Sequence, residues 1–218
     1  MPSDLTLVGI LAFSALLPFI IASGTCFLKI SIVLVMVRNA MGVQQVPTTM
    51  TLNGIALLLS LFIMLPVIND ISAYARTEGV TTTDSASVDR FIEQGLGRYK
   101  DYLKKYSDPE LVVFFESIQK GRSEEDIVQQ DEMATLFSLL PAYALSEIKS
   151  AFEIGFYIYL PFVVIDLIIS SILLALGMMM MSPVTISVPI KLILFVAMDG
   201  WALLSKGLVM QYVELAQQ

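Results

Sequence analysis

A chain of 218 residues is long enough for one or two soluble domains, yet 56% hydrophobic residues against 15% charged is too apolar a mixture for either. The formal charge of -7 is concentrated: residues 70 to 132 hold 14 acids and 8 bases, leaving 6 acids and 5 bases for the rest, so a polar acidic middle lies between apolar flanks and nothing resembles a nucleic-acid footprint. With no histidine and one cysteine, Cys26, no zinc cluster, internal disulfide or imidazole base can be assembled, so no metal or cofactor is expected and an enzyme is disfavoured.

From the amino end, Leu5 to Leu28 is an uncharged run of 24 residues. As a helix it would span about 36 Å against a hydrocarbon core of about 30 Å, long enough to cross. "MPSDL" places Asp4 where a cleaved signal would carry basic residues, so the segment is expected to be retained. A second uncharged run, Asn39 to Asn69, contains Gly42, Pro47, Gly54 and Pro66, and the turn "GVQQVP" predicts a helix start near Thr51. The two runs make a first apolar hairpin, residues 1–70.

The polar middle, residues 71–132, reads as a helical insertion. Val88, Phe91, Ile92, Leu96, Tyr99, Leu103 and Tyr106 recur at helical spacing, the mark of an amphipathic helix with one buried stripe. In "SDPELVVFFESIQKG", Asp108 is the N-cap, Pro109 the first helical residue, Glu110 an acid at the positive end of the dipole, and Gly121 the stop.

Residues 133–218 turn apolar again and are read as a second hairpin. Pro141, Pro161 and Asp166 punctuate them, and Leu167 to Ile190 is another uncharged run of 24. Two prolines and three hydroxyl residues in "SPVTISVP" predict a turn between two helices, the last running from about Ile190 to Glu214, with Met178, Met179, Met180 and Met181 at the hairpin tip.

Two sets of residues ask for a function. Lys29, Arg38, Glu147, Lys149, Glu153, Asp166, Lys191, Asp199 and Lys206 interrupt apolar helices and would each cost a few kcal/mol or more if they faced lipid. They either pair with one another, as Lys149 and Glu153 could at i, i+4, or line a conduit; pairing between copies of the chain would satisfy both. The four methionines either end a helix and fill a core, or project from the turn as a soft apolar loop. Four consecutive residues point all round a helix and cannot share one packing partner. A methionine copper site, without histidine or cysteine nearby, is improbable.

"FLKISIVLVMVRNAMGVQQVP" and "LLPAYALSEIKSAFEIGFYIYLPFVVIDLIISSILLALGMMMMSPVTISVPIKLILFVAMDGWALLSKGL" closely resemble the SctR/FliP family, export-gate subunits of bacterial type III secretion systems and the flagellar export apparatus. The resemblance covers the chain except its polar middle and favours the injectisome branch. It implies a homo-oligomer, a ring-like helical pentamer, built with SctT/FliR-like and SctS/FliQ-like subunits and raised largely to the periplasmic side of the inner membrane. It further implies that unfolded effector, needle and inner-rod proteins pass through the complex, and that the methionine loop lines its narrowest constriction as a gasket. Lys29, Arg38, Glu147, Lys149, Glu153, Asp166, Lys191 and Asp199 are then candidates for inter-subunit or channel-facing contacts.

The fold expected is thus all-α and membrane-associated: two apolar helical hairpins flanking a polar helical insertion, in contact with membrane lipid and binding no nucleic acid. Two other classes fit less. A small transporter or channel would explain broken helices and intramembrane charge, but the only internal echo is "LLPF" against "LLPA". An intramembrane enzyme would have only Asp166 and Asp199 as a catalytic pair.

Overall fold

A computed structural model of the chain describes residues 11, 14–15, 18–43, 45–77, 95–121, 134–178 and 180–212. Every regular element among these residues is helical. After a short helical stretch, Pro18–Gly24, come α1 Phe27–Ala40, α2 Thr49–Thr77, α3 Gly97–Tyr106, α4 Pro109–Lys120, α5 Leu136–Ala175, α6 Pro183–Ala197 and α7 Gly200–Met210. By length and composition α2 and α5 could each cross a membrane, as could two bent pairs, Pro18–Gly24 with α1 and α6 with α7, if each is one span. At about 1.5 Å per residue the 40 residues of α5 reach about 60 Å, twice a hydrocarbon core, so one end must lie outside it.

The uncharged run ending at Leu28 is not one straight helix, because the axis turns by 81° between Pro18–Gly24 and α1. Thr25 makes the break: its hydroxyl donates to Ile21 O at 2.6 Å and accepts from Phe27 N at 3.3 Å, closing one helix and opening the next. Gly24 is needed beside it, since the Tyr99 hydroxyl donates to Gly24 O at 2.8 Å and a Cβ there would overlap that hydroxyl.

The chain forms two compact units, residues 1–28 with 64–147, and residues 29–63 with 148–218. In the first, tyrosines make the core. Tyr102 is buried with ring centroids 5.3 Å from Tyr106 and Tyr143 and 6.3 Å from Tyr99, and its hydroxyl shares a hydrogen bond with that of Tyr143. Burial pushes the Tyr99 phenol up to about 12. It pushes Tyr102 well up too, reinforced by Cys26 and Glu147 against the hydrogen bond to Tyr143. These phenols stay neutral because their surroundings solvate a phenolate poorly. An Asp70–Arg98 ion pair ties α2 to α3. Of the amphipathic helix predicted over residues 88–106, α3 is the described part: Leu103 of the predicted stripe is buried and Tyr99 and Tyr106 are half-buried, while Tyr102, outside that stripe, is buried as well; residues 88–94 lie outside the described residues.

The punctuation predicted for α4 is present. Asp108 accepts from Glu110 N at 3.2 Å, Pro109 opens the helix, and Gly121 ends it at φ 62°. Asp108 N in turn donates to Ser146 Oγ on α5 at 2.7 Å.

In the second unit α1 buries Ile30, Val33, Leu34 and Val37, a stripe at helical spacing, and α2 buries Leu52, Ala56, Ser60 and Ile63. Ser31 Oγ donates to Asn53 Oδ1 at 2.7 Å. The α2 start falls two residues before the predicted one, with the Thr48 hydroxyl accepting from Thr51 N at 3.2 Å as its cap.

The carboxy-terminal part departs from the sequence-based expectation in two places. "SPVTISVP" is not a turn: α6 begins at Pro183 and continues through Pro189, and the turn lies earlier, between Ala175 and Pro183. Proline is at home at the first helical position, where its missing N–H has no acceptor to serve. Nor does one helix run from Ile190 to Glu214. The chain bends by 60° between α6 and α7, where Asp199 adopts a left-handed conformation, φ 50°, and a Cβ on Gly200 would overlap the Phe195 ring. Pro141 and Pro161 sit inside α5 without breaking it.

Candidate functional site

The carboxyl end of α5 closes on a glycine cap that leaves the methionine turn in the open. Gly177 N donates to Leu174 O and Met178 N to Leu173 O, both at 3.0 Å, with Gly177 at φ 73°. This is the 6→1 and 5→2 pattern of a Schellman cap, which needs a residue without a Cβ penalty in the left-handed position. Met181 N then closes a turn on Met178 O at 3.2 Å, and Ser182 with Pro183 starts α6. Met178, Met180 and Met181 therefore belong to neither helix. Met180 is fully exposed at 103%, while Met178 and Met181 are each 41% exposed. Met179 lies outside the described residues. Within one chain the three described methionines are not core filling.

Below the turn, one ammonium joins three helices. Lys191 Nζ on α6, buried, donates to Asp166 Oδ2 on α5 at 2.6 Å and to Ala40 O, the last carbonyl of α1, at 3.2 Å. A cation suits that position because the α1 dipole leaves negative partial charge there. Arg38, half a turn earlier, is also buried; its Nη1 donates to Thr49 Oγ1 at 2.9 Å and Pro47 O at 3.2 Å, and its Nη2 to Asn39 Oδ1 at 3.4 Å, while Nε has no hydrogen-bond partner. Lys29, at the start of α1, is buried with Nζ 4.9 Å from the Tyr212 ring centroid, a cation–π contact between residues too far apart in the chain for spacing to pair them.

The remaining candidates are dispersed. Glu147 is buried in the tyrosine-rich unit, close enough to Tyr102 to oppose its ionisation. Lys149, Glu153 and Asp199 are exposed. Asp166 and Lys191 are a pair that the fold brings together, 25 residues apart in the chain.

One buried acid went unmarked in the sequence. Glu116 on α4 accepts from Thr135 N at 3.2 Å and from Ser138 Oγ, and pairs with Lys120 Nζ at 3.0 Å. It is a carboxylate at the amino end of α5, where the dipole favours an anion. Burial alone would push its pKa up, but Ser138, Lys120 and the Thr135 N–H outweigh that and hold it below its ordinary value. The legible clue was "TLFS", with Thr135 and Ser138 spaced as a cap.

Between the later turns of α5 and the α6–α7 bend lies an apolar groove of about 420 Å³, lined by residues such as Ile158, Phe162, Phe195, Leu204 and Gly207. Among the described residues no titratable side chain lines it. Around it α5 and α6 expose Phe156, Leu160, Leu167, Ile168, Ile193 and Val196, and only 17% of the most apolar stretch of α5 is buried. A soluble monomer rarely tolerates so much uncovered apolar surface. Among the described residues no group of three metal-ligating side chains occurs.

The described residues, helical throughout their regular elements and with long apolar helix faces left open, have the character of a membrane-associated helical protein. The FliP family model matches residues 10–208, and the chain belongs to that family. It is 62% identical to the surface presentation of antigens protein SpaP of Salmonella typhimurium, over 99% of this chain and 100% of that one. It is 58% identical to SpaP of Shigella flexneri, over 99% of both chains. With Yop proteins translocation protein R of Yersinia pestis the identity is 45%, over 97% of this chain and 98% of the other. Similarity on this scale, spanning the apolar helices, makes the chain a membrane protein.

Proposed function

We propose that this chain is a core export-gate subunit of a type III protein secretion apparatus, and that its methionine turn forms the seal of the export channel. Its relatives are named for translocation of Yop proteins and for surface presentation of antigens, and family membership makes it a component of the type III export machinery. The observation that carries the reading of the turn is that Met178, Met180 and Met181 stand outside both flanking helices with Met180 wholly exposed. Apolar side chains held in the open by a capped turn need a partner. A ring of copies supplies one.

Five chains converging on their turns would surround a pore with thioether side chains. Such a constriction sheds water when closed and so blocks ions. Unbranched methionine reshapes around a passing chain at little cost. In this reading the chain forms a pentamer with SctT/FliR-like and SctS/FliQ-like subunits in the bacterial inner membrane, most of it on the periplasmic side. Effector, needle and inner-rod proteins pass through unfolded, lipid meets part of the outer surface, and the energy comes from other components. The contacts of Ser31 with Asn53 and of Lys191 with Asp166 support reading residues 1–70 and 133–218 as two hairpins around the insertion 71–132. Exposed Lys149, Glu153 and Asp199 are the charges placed to reach a neighbouring subunit; Lys29, Arg38, Glu147, Asp166 and Lys191 hold the fold of the copy that carries them.

Extraction in a mild detergent, followed by native mass measurement, tests the assembly. A complex of several copies with two other small membrane proteins is the expected result. A stable monomer or dimer, the state of a small transporter, would overturn it.

A further inference from the structure

The carboxyl end of α1 is docked on α6 at two separate points. Lys191 Nζ donates to Ala40 O at 3.2 Å while holding Asp166, and Gly42, at φ 79°, sits so close to Val188 that a Cβ there would lie 2.7 Å from Val188 Cγ2. Ser187, beside Val188 in the chain, is 1% exposed, and its hydroxyl has no hydrogen-bond partner. One face of α6, within residues 187 to 191, is therefore pressed onto the last turn of α1. The methionine turn leads directly into the same helix, Met181 lying ten residues, about 15 Å, before Lys191.

We infer that the Ala40–Gly42 end of α1 is a seat that positions α6 and thereby the methionine turn, with Lys191 and Gly42 as the positioning residues of the seal. The inference rests on the reading of the turn as a gasket. The seat works by two complementary means. The ammonium gives α6 an attachment to a helix end and to α5 that no apolar side chain can replace, because Ala40 O and Asp166 would both lose their donor. The glycine allows the backbones to approach where any other residue would push Val188 away.

Ser187→Cys is a near-isosteric reporter of this seat, placed in a Cys26→Ala background of the assembled complex in its membrane. Maleimide labelling of position 187 is expected to rise at least tenfold with Lys191→Met and with Gly42→Ala, and ion leak is expected to rise in the same variants while the complex keeps its size. Lys191→Arg, which keeps a donor for Ala40 O and Asp166, should lower both again. Labelling that stays unchanged in Lys191→Met and Gly42→Ala overturns the seat. Labelling that rises without leak, in a complex that does leak when Met178 to Met181 are all alanine, shows that the seat does not set the seal and also overturns the inference. If the four-alanine complex stays tight, the gasket reading falls, and the labelling alone decides whether α6 is seated here.

Discussion

Replacing Glu116 by alanine tests how α5 is anchored at its amino end. The carboxylate is 2% exposed, accepts from Thr135 N at 3.2 Å and from the Ser138 hydroxyl, and pairs with Lys120 at 3.0 Å. Hydrogen bonds to a charged group contribute about 1.5–3 kcal/mol each, and stranding a buried donor costs about 1–3 kcal/mol. Proximity to the α5 dipole adds about 0.3–1 kcal/mol. These terms overlap, since Ser138 can return to Thr135 O at 2.9 Å, so about 3 kcal/mol is a fair net loss. A loss of that size accelerates local opening about a hundredfold, which hydrogen exchange in the detergent-solubilised complex would read at the amides of Thr135 to Leu139 and along α4. Glu116→Gln, which keeps an acceptor and loses the charge, should lie between. The pH dependence has a definite sign. Because the folded-state pKa is lowered, the stabilisation is present above the ordinary carboxylate pKa and is lost as pH falls through the lower folded value. Exchange in Glu116→Ala indistinguishable from the parent at pH 7 would mean that Glu116 does not anchor α5.

The tyrosine-rich unit carries three further expectations. Tyr143→Phe leaves the buried Tyr102 hydroxyl without its partner and should cost about 1–3 kcal/mol in denaturant unfolding of the complex. Alkaline titration by ultraviolet absorbance should find Tyr99 ionising near pH 12; since burial raises that pKa, its contribution to stability is intact below pH 10 and lost as the pH rises toward 12. Gly24→Ala should displace the Tyr99 hydroxyl and cost about 1–3 kcal/mol, with Tyr99→Phe recovering part of the loss in the double variant by thermal melting.

Local signals were the legible ones. Asp108, Pro109 and Gly121 bound α4 because capping involves residues within four positions of one another, and the helical spacing that includes Leu103 marked part of the buried face of α3 but not Tyr102. The prolines misled for an equally physical reason. Pro183 opens a helix instead of ending one, Pro189 continues it, and the actual turn is set by Gly177, whose left-handed backbone leaves no trace beyond a common residue type. Likewise the bends at Thr25 and Asp199 come from hydroxyl bonds to the backbone and from tertiary crowding around Tyr99 and Phe195, neither of which is periodic. Partners far apart in the chain, such as Lys191 with Asp166 and Ala40, Lys29 with Tyr212, and Glu116 with Ser138, could not be assigned from spacing. The requirement that intramembrane charges be satisfied was legible, and the fold meets it for Lys191 with a carboxylate and a helix end, and for Lys29 with an aromatic ring.

In the function proposed here, the exposed methionine turn closes the export channel. The most direct test replaces Met178, Met179, Met180 and Met181 together with alanine and measures ion leakage across the inner membrane and substrate secretion, with the size of the complex as control. Increased leak from a complex of normal size is the predicted result. Unchanged leak and unchanged secretion from that same intact complex would mean that the turn is not the seal.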